Sequence, residues 1–227
     1  MVVSNTLSEN ESPHDYRIKL ESPELELVKE RNIKSVLEVF SGDGRNIVYF
    51  AKQGMTVTGI EDNDKLISDS NELVKKNKAS VKLIKHPVFM KKFPFPDNEF
   101  DFVYSYQYLN HNFKDQIEEA FKEIFRVLKP NGLFSIKITD YEQFNVEKVD
   151  DFFYRECDPE FPQIMYRKLA EQTFAKLEGD EVWIPHYCFN KDELVRSLEK
   201  AGFKLVNIRK IRWNLVGNFT KKTTKHL

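Results

Sequence analysis

Short apolar runs alternate with amphipathic segments along most of this 227-residue chain, and this alternation limits the possible folds more than any other feature. The strand-like runs lie at residues 34–40, 56–60, 81–85, 100–105, 133–139, 203–208 and 211–219. Apolar residues at helical spacing predict helices at residues 22–31, 46–53, 64–77, 117–128 and 191–201. Strands that alternate with helices indicate βαβ units and a parallel sheet with helices on both faces.

A long insertion interrupts this alternation between residues 140 and 190. Connections in α/β units usually have only about 2–6 residues, so a segment of this length is often a lid or a binding element. Aromatic residues are frequent in it. We expect residues 141–188 to form a helical, aromatic cap over the strand ends. An extra helical layer with its own aromatic core is the alternative interpretation.

Composition and charge disfavour several classes of function. The chain has 35 basic and 36 acidic residues, so no overall field points to nucleic acid or to an anionic membrane. No apolar run approaches the about 18 residues of a membrane span, and the N-terminal residues lack the pattern of a signal peptide. The two cysteines form no CxxC pair, which fits a reducing compartment. We expect a cytoplasmic protein with a disordered arm at residues 1–13 and a single domain at residues 14–227.

A glycine-rich turn follows the first predicted strand, in the stretch VLEVFSGDGRN at residues 36–46. Gly42 and Gly44 can adopt positive φ and leave no side chain in the way of a ligand. The helix that begins near Asn46 presents free N–H groups beside them. The GxGxxG fingerprint of dinucleotide sites fits poorly, because its third glycine would fall at Ile47. A nicotinamide-dependent enzyme would also need a hydride-transfer site, and the sequence offers no candidate for one.

Five segments, in the order and spacing of the family, resemble motifs of the class I methyltransferases that use S-adenosylmethionine (SAM), in particular the methyltransferase 11 type. The segments are VLEVFSGDGRN, VTGIEDND, FPFPDNEFDFVYS, EEAFKEIFRVLKPNGLFSI and FNKDELVRSLEKAGFKLV. The resemblance covers roughly four-fifths of the chain. It implies a Rossmann-like, doubly wound α/β fold with a seven-stranded sheet, mostly parallel with one antiparallel strand near the C-terminus. It also implies methyl transfer from SAM to an oxygen, nitrogen or carbon atom of a modest-sized acceptor, with S-adenosylhomocysteine (SAH) as product.

The resemblance further implies a SAM site at the carboxyl ends of the first strands. The residues expected to bind the cofactor are Glu38, Phe40, Ser41, Gly42, Gly44, Asn46, Glu61, Asp62, Phe89, Met90 and Tyr106. Glu61, at the end of the second strand, is placed to accept hydrogen bonds from ribose hydroxyls. Glu38 lies inside an apolar strand, where an unpaired carboxylate is costly. We expect it to bind either the N–H groups of the glycine turn, bracing that turn, or the methionine amine of SAM.

Three positions depart from the pattern of the family. Phe40 stands where the family has the first glycine of the turn, and Phe89 stands where it has an aspartate that binds adenine. The ring of Phe40 either offers a cation–π contact to the sulfonium or blocks the pocket. Asn131 replaces a glycine of a later turn, which is a mild change because asparagine tolerates the left-handed conformation. These departures leave open a catalytically inactive chain that keeps the fold and binds a protein partner.

The acceptor side of the implied site contains the remaining candidates. His111, after the fourth strand, is the candidate catalytic base, with a loop histidine of no chemical role as the alternative. Tyr154, Trp183, His186 and Tyr187 are the candidates for contacts with the substrate. The histidines lack metal-ligand spacing, so no metal is expected. A small, partly apolar or planar acceptor is favoured over a nucleic acid, and the acceptor and the oligomeric state stay open.

Overall fold

The computed structural model describes residue 20 and residues 22–89, 92–143, 152–155, 164–177, 182–212 and 214–222. The arm predicted at residues 1–13 lies outside this range. The helices are α1 (Ser22–Glu30), α2 (Arg45–Lys52), α3 (Asp64–Lys76), α4 (Lys114–Val127) and α5 (Lys191–Lys200). The strands are β1 (Ser35–Val39), β2 (Thr56–Glu61), β3 (Val81–Lys85), β4 (Phe100–Tyr106), β5 (Leu128–Thr139), β6 (Phe152–Arg155), β7 (Ile164–Ala170), β8 (Thr173–Lys176), β9 (His186–Tyr187), β10 (Phe203–Ile211) and β11 (Asn214–Lys221). None of these helices combines the length and the apolarity that crossing a membrane requires.

The large sheet has seven strands in the order β10-β11-β5-β4-β1-β2-β3. Strand β11 runs antiparallel to both β10 and β5, and the other neighbours are parallel. The strand order reverses at β1, whose neighbours are β2 and β4. Ligands of open α/β sheets bind at such a switch point, outside the carboxyl ends of the strands. The predicted fold, a mostly parallel seven-stranded sheet with one antiparallel strand, is confirmed.

Helices cover both faces of this sheet because successive residues of a strand point to opposite sides. On one side, Val36 belongs to a buried cluster with Ile47 and Phe50 of α2. On the other side, its neighbour Leu37 belongs to a buried cluster with Phe121 of α4. All five side chains are fully buried. The apolar spacing of the sequence therefore produces a core layer on each face of the sheet.

Strand β5 begins earlier than predicted. The sequence predicts a turn at residues 129–132 and a strand from Leu133, whereas β5 begins at Leu128, directly after α4. Leu128 is already extended, with φ −75° and ψ 134°, and it pairs with Phe100 of β4. Asn131 has a φ of 62°, the left-handed conformation that the sequence predicts there.

The insertion forms strands where the sequence predicts helices. In its described residues, β6 to β9 make a four-stranded antiparallel sheet, preceded by a 3-10 turn at Tyr141–Gln143. The helical character expected for residues 141–188 is therefore wrong for this part of the chain. Aromatic residues such as Tyr166 and Phe174 favour strands. Gln172 supplies the positive φ of 53° in the turn between β7 and β8.

The small sheet lies at the carboxyl ends of β4 and β5. The N–H of Tyr187 donates to the carbonyl of Asn110, after β4, over 2.8 Å. The N–H of Tyr141, after β5, donates to the carbonyl of Phe189 over 2.9 Å. Phe189 is fully buried in the main core, with its ring centroid 6.1 Å from that of Phe121. The small sheet therefore stands at the edge of the large sheet where a ligand is expected.

A buried ion pair fixes α1 against the C-terminal hairpin. Glu24 is fully buried, and its carboxylate accepts hydrogen bonds from the two terminal nitrogens of Arg209 at 2.5 and 2.7 Å. The same carboxylate accepts a bond from Asn218 Nδ2 at 2.9 Å. Asn218 Nδ2 also donates to Asn207 Oδ1 at 2.8 Å. Bidentate pairing of this kind is strong and geometrically specific, so it fixes the position of α1 on β10 and β11.

Candidate functional site

The turn between β1 and α2 contains three residues with positive φ: Phe40 at 63°, Gly42 at 54° and Gly44 at 85°. Gly44 is also required for space, because a Cβ there would lie 2.2 Å from Ser70 Oγ. A Cβ on Gly42 would meet no atom within 4 Å, so the backbone of Gly42 borders open space. The left-handed conformation costs a non-glycine residue roughly 1–2 kcal/mol. The turn therefore keeps its glycines and holds Phe40 under backbone strain.

Three backbone amides hold Glu61, the last residue of β2. Its Oε2 accepts a hydrogen bond from the N–H of Gly42 at 2.9 Å. Its Oε1 accepts from the N–H groups of Asp62 and Asn63 at 3.0 and 3.1 Å. Burial raises the pKa of Glu61 above its usual value, although these three bonds act in the opposite direction. The carboxylate is thereby fixed beside the glycine turn.

The Gly42 amide binds Glu61 and not Glu38, which corrects the expectation that Glu38 accepts from the glycine turn there. Glu38 Oε1 accepts instead from Asn46 Nδ2 at 3.0 Å. Burial raises the pKa of Glu38 to about 8, against smaller lowering effects of Asn46 and Tyr104. Among the described residues, neither Glu38 Oε2 nor the adjacent Tyr104 hydroxyl has a partner in good hydrogen-bond geometry. Burial therefore favours the protonated form of the Glu38 carboxyl.

We expect Glu38→Gln to remove a pH dependence of stability. The folded pKa is raised, so the stability that Glu38 contributes is fully present below its unfolded pKa of 4.5 and is lost as the pH rises to about 8. In this window the unfolded chain has released a proton that the folded chain retains, at a limiting slope of about 1.4 kcal/mol per pH unit. Urea unfolding at several pH values measures the effect. Between pH 4.5 and about 8, the free energy of unfolding of the wild type should fall relative to that of Glu38→Gln. If the two proteins show the same dependence of this free energy on pH, the raised pKa of Glu38 is wrong.

A pocket of about 380 Å³ lies at the switch point, beside the glycine turn. It is lined by Phe40, Glu61, Asp62, Asn63, Leu66, Pro87, Phe89, Tyr108, His111, Asn112 and Ile184. Its volume lies within the about 300–1,000 Å³ of small-molecule sites. The sequence predicted five of these residues as site residues and missed Asn63, Leu66, Pro87, Tyr108, Asn112 and Ile184. The sequence could have indicated these six residues only by their position, because most of them lie just beyond the carboxyl end of a strand.

One wall of the pocket is aromatic. The ring centroid of Phe40 lies 5.3 Å from that of Phe89, at an interplanar angle of 42°. It lies 6.0 Å from the centroid of Tyr108, at an angle of 30°. These separations are typical of favourable aromatic pairs. We call Phe40, Phe89 and Tyr108 the aromatic wall, and Phe40 stands between its two neighbours.

Two histidines meet where the small sheet approaches the pocket. The ring centroids of His111 and His186 are 4.4 Å apart, and His111 is 5.0 Å from Tyr108. His186 Nδ1 lies 2.7 Å from the carbonyl oxygen of Ile184, which can only accept, so Nδ1 carries the hydrogen. His111 lines the pocket, and His186 supports it from the small sheet. Within the residues that the structure describes, no group of His, Cys, Asp or Glu is suited to hold a metal ion.

The described lining of the pocket lacks six predicted cofactor residues: Glu38, Ser41, Gly42, Gly44, Asn46 and Tyr106. Asn46 binds Glu38, as described above. Ser41 is buried against β2, where a Cβ on Gly59 would lie 2.8 Å from its Oγ. Tyr106 is buried at the end of β4, with its ring centroid 6.0 Å from that of Tyr104. Met90 lies outside the described residues.

Two further candidates for substrate contact, Tyr187 and Trp183, are not among the described residues that line the pocket. The hydroxyl of Tyr187 lies 2.7 Å from Gln172 Oε1 and 2.5 Å from Glu193 Oε1, in contact with α5. Trp183 is 55% exposed, and the guanidinium of Arg167 lies 5.9 Å from the centre of its ring. Tyr154 lies in β6, and its side chain is outside the description.

Comparison with known sequences agrees with this geometry. Residues 37–136 match the methyltransferase domain family. Over 178 residues the chain is 33% identical to the sterol 24-C-methyltransferase of Pneumocystis carinii, an alignment that covers 78% of this chain and 41% of that protein. The chain spans about two fifths of the length of the first curated relatives that it matches.

Two solved structures have the same fold. A SAM-dependent methyltransferase from Clostridium acetobutylicum superposes with a TM-score of 0.67 at 12% identity, over 88% of this chain and 89% of that one. A protein from Pyrococcus horikoshii superposes with a TM-score of 0.69 at 22% identity, over 92% of each chain. In the family match over residues 37–136 and in its fold, the chain is similar to the class I SAM-dependent methyltransferases.

Proposed function

We propose that this chain binds SAM in the pocket at the switch point and transfers its methyl group to a small-molecule acceptor, leaving SAH. The observation that supports this most is the position of Glu61. Its carboxylate lines the pocket at the end of β2 and is fixed by three backbone amides. A carboxylate has about four lone-pair sites, so capacity remains for a ribose hydroxyl. The open space beside Gly42 leaves room for the ligand along the turn.

The described residues fit the other parts of SAM as well. Leu66, Pro87 and Phe89 provide apolar surface for the adenine ring in the same pocket. Because Phe89 replaces the aspartate of the family, adenine binding would depend on stacking and on backbone groups. Asp62 adds a second carboxylate near the ribose side of Glu61. SAM supplies an already activated methyl group, so the protein has mainly to position the two reactants.

We assign the acceptor to the side of the pocket formed by the small sheet. Ile184 and Tyr108 give this side an apolar character, and His111 gives it a proton acceptor. For an oxygen or nitrogen acceptor, His111 would take up the proton that the acceptor loses as the new bond to the methyl group forms. His186 holds the neighbouring ring in place through the 4.4 Å contact. We therefore propose His111 as the catalytic residue and His186 as the residue that positions it.

The apolar surface of Ile184 and Tyr108 also indicates which class of acceptor this side of the pocket would bind. A partly apolar or planar molecule would contact Ile184 and Tyr108 without leaving polar groups unpaired. The relative from Pneumocystis carinii is named a sterol 24-C-methyltransferase, and a sterol is therefore one candidate of this apolar class. A cytoplasmic location belongs to the same proposal, because the two cysteines of the sequence form no CxxC pair, which fits a reducing compartment.

We expect His111→Asn to lower the rate of methyl transfer by about 10²–10⁴-fold, the usual contribution of a general base. SAM binding should stay within about threefold of the wild type, because His111 contacts the acceptor side. The measurement is SAH formation by mass spectrometry, with phenols, enols and sterols as acceptors and the pH varied. The low-pH limb of the rate profile should disappear in the variant.

Two outcomes would count against this assignment. An undiminished rate in His111→Asn would place the base elsewhere. Binding of SAM without SAH formation from any of these acceptors would favour the alternative, a catalytically inactive chain that binds the cofactor and acts through a protein partner.

A further inference from the structure

Phe40 combines three properties that are unusual together. It has a positive φ of 63°, a conformation that a phenylalanine rarely adopts. Its side chain is only 7% exposed, yet it lines the pocket. Backbone strain of this kind concentrates at active sites and ligand sites, so a strained residue in the wall of a pocket is a candidate for function.

The ring of Phe40 is held in one orientation. Phe89 packs on it at 5.3 Å and Tyr108 at 6.0 Å, and both neighbours also line the pocket. Movement of the Phe40 ring would disturb both contacts. A fixed aromatic ring presents a negative face, because its π electrons carry a quadrupole. The aromatic wall is therefore suited to attract a positive charge in the pocket.

The charges around the pocket act in the same direction. Glu61 and Asp62 contribute carboxylates, and no lysine or arginine is found among the described lining residues. His111 is the one basic side chain in this set. A pocket with carboxylates and an aromatic wall favours a cation over a neutral molecule of the same shape.

We propose that Phe40 distinguishes the cationic donor SAM from the neutral product SAH by a cation–π contact with the sulfonium. This inference rests on the proposed function, since it concerns the same pocket. SAM and SAH share the adenosyl and amino acid groups and differ in the methyl group and the positive charge on sulfur. Stronger binding of the charged form would let the product leave more readily than the donor. The expected preference for SAM over SAH is about 3- to 30-fold.

The test is isothermal titration of the wild type and three variants with SAM and, separately, with SAH. Phe40→Leu keeps an apolar side chain and removes the aromatic face. Phe40→Tyr keeps the aromatic face. Phe113→Leu is the matched control, because Phe113 is 42% exposed and is not among the lining residues. Thermal unfolding of each variant establishes that it is folded.

We expect Phe40→Leu to lower the preference for SAM at least threefold and to change SAH affinity by less than that. Phe40→Tyr and Phe113→Leu should keep the wild-type preference. Equal weakening of both ligands in Phe40→Leu would overturn the inference, since the ring would then act by packing alone. Tighter binding of both ligands would overturn it too and would identify the ring as a steric obstruction.

Failure of the inference and failure of the proposed function give different results. Wild-type protein that binds SAM and SAH equally well contradicts the role of Phe40 and leaves the proposed function standing. Wild-type protein that binds neither ligand contradicts the proposed function, and the inference is overturned with it.

Discussion

Replacing Glu61 by alanine is expected to lower the affinity for SAM by about a hundredfold. Hydrogen bonds to a charged group contribute about 1.5–3 kcal/mol, and about 1.4 kcal/mol corresponds to tenfold in affinity. The variant also removes the acceptor of the Gly42, Asp62 and Asn63 amides. The free energy of unfolding should therefore fall by about 1–3 kcal/mol. Calorimetric titration and urea unfolding measure the two effects separately.

Asp62→Ala is the matched control for Glu61→Ala. Asp62 is exposed, lines the same pocket and follows Glu61 directly, and its backbone N–H still reaches Glu61 when its side chain is removed. We expect it to lose less than tenfold in SAM affinity and to keep its stability. Equal losses in the two variants would mean that the pocket responds to negative charge in general and that Glu61 has no special position.

Replacing Glu24 by alanine is expected to lower the free energy of unfolding by about 3 kcal/mol, without direct contact with the pocket. The substitution removes both bonds that the Arg209 guanidinium makes to Glu24. It also removes one of the two hydrogen bonds that Nδ2 of the fully buried Asn218 donates. Breaking one side of such a pair is costly because Arg209, at 28% exposure, keeps its charge and part of its desolvation penalty. Urea unfolding monitored by circular dichroism provides the measurement.

The double variant Glu24→Leu with Arg209→Leu distinguishes two causes of this loss of stability. One is the unpaired charge that Glu24→Ala leaves on Arg209, and the other is the loss of the ion pair itself. Replacing both partners of a buried pair by apolar residues is often close to neutral. We expect the double variant to recover most of the stability that Glu24→Ala loses. If the double variant is as unstable as the single one, the interaction itself and not the unpaired charge determines the effect.

The sheet could be predicted from the sequence because its pattern is local. Each strand of the large sheet is a short apolar run, and each helix has apolar residues at helical spacing, so the elements follow from neighbours in the chain. The glycine turn was recognisable for the same reason. Gly44 faces Ser70, but the need for a left-handed residue is already visible in the spacing of the glycines.

The partners of the buried carboxylates could not be predicted because they depend on contacts between distant segments. Glu38 and Glu61 both lie near the glycine turn, and the register of β1 and β2 decides which of them the Gly42 amide reaches. The buried ion pair of Glu24 joins residues that are 185 positions apart.

The small sheet was missed for a related reason. Aromatic residues occur in buried helices as well as in strands, and the cross-strand pairing that decides between them is not visible in a single segment. Pairs such as Lys168 with Phe174 form only when the hairpin closes. The same limit applies to Ile184, which reaches the pocket because the small sheet places it there.

Titration of the folded wild-type chain with SAM tests most directly whether the pocket at the switch point is a SAM site. We expect saturable binding of one SAM per chain with a dissociation constant in the micromolar range. Heats of titration equal to those of the dilution control would contradict SAM binding at this pocket. Cooperative unfolding of the same protein sample would show that the chain was folded. If both results are found, the alternative of a catalytically inactive chain that binds a protein partner is favoured.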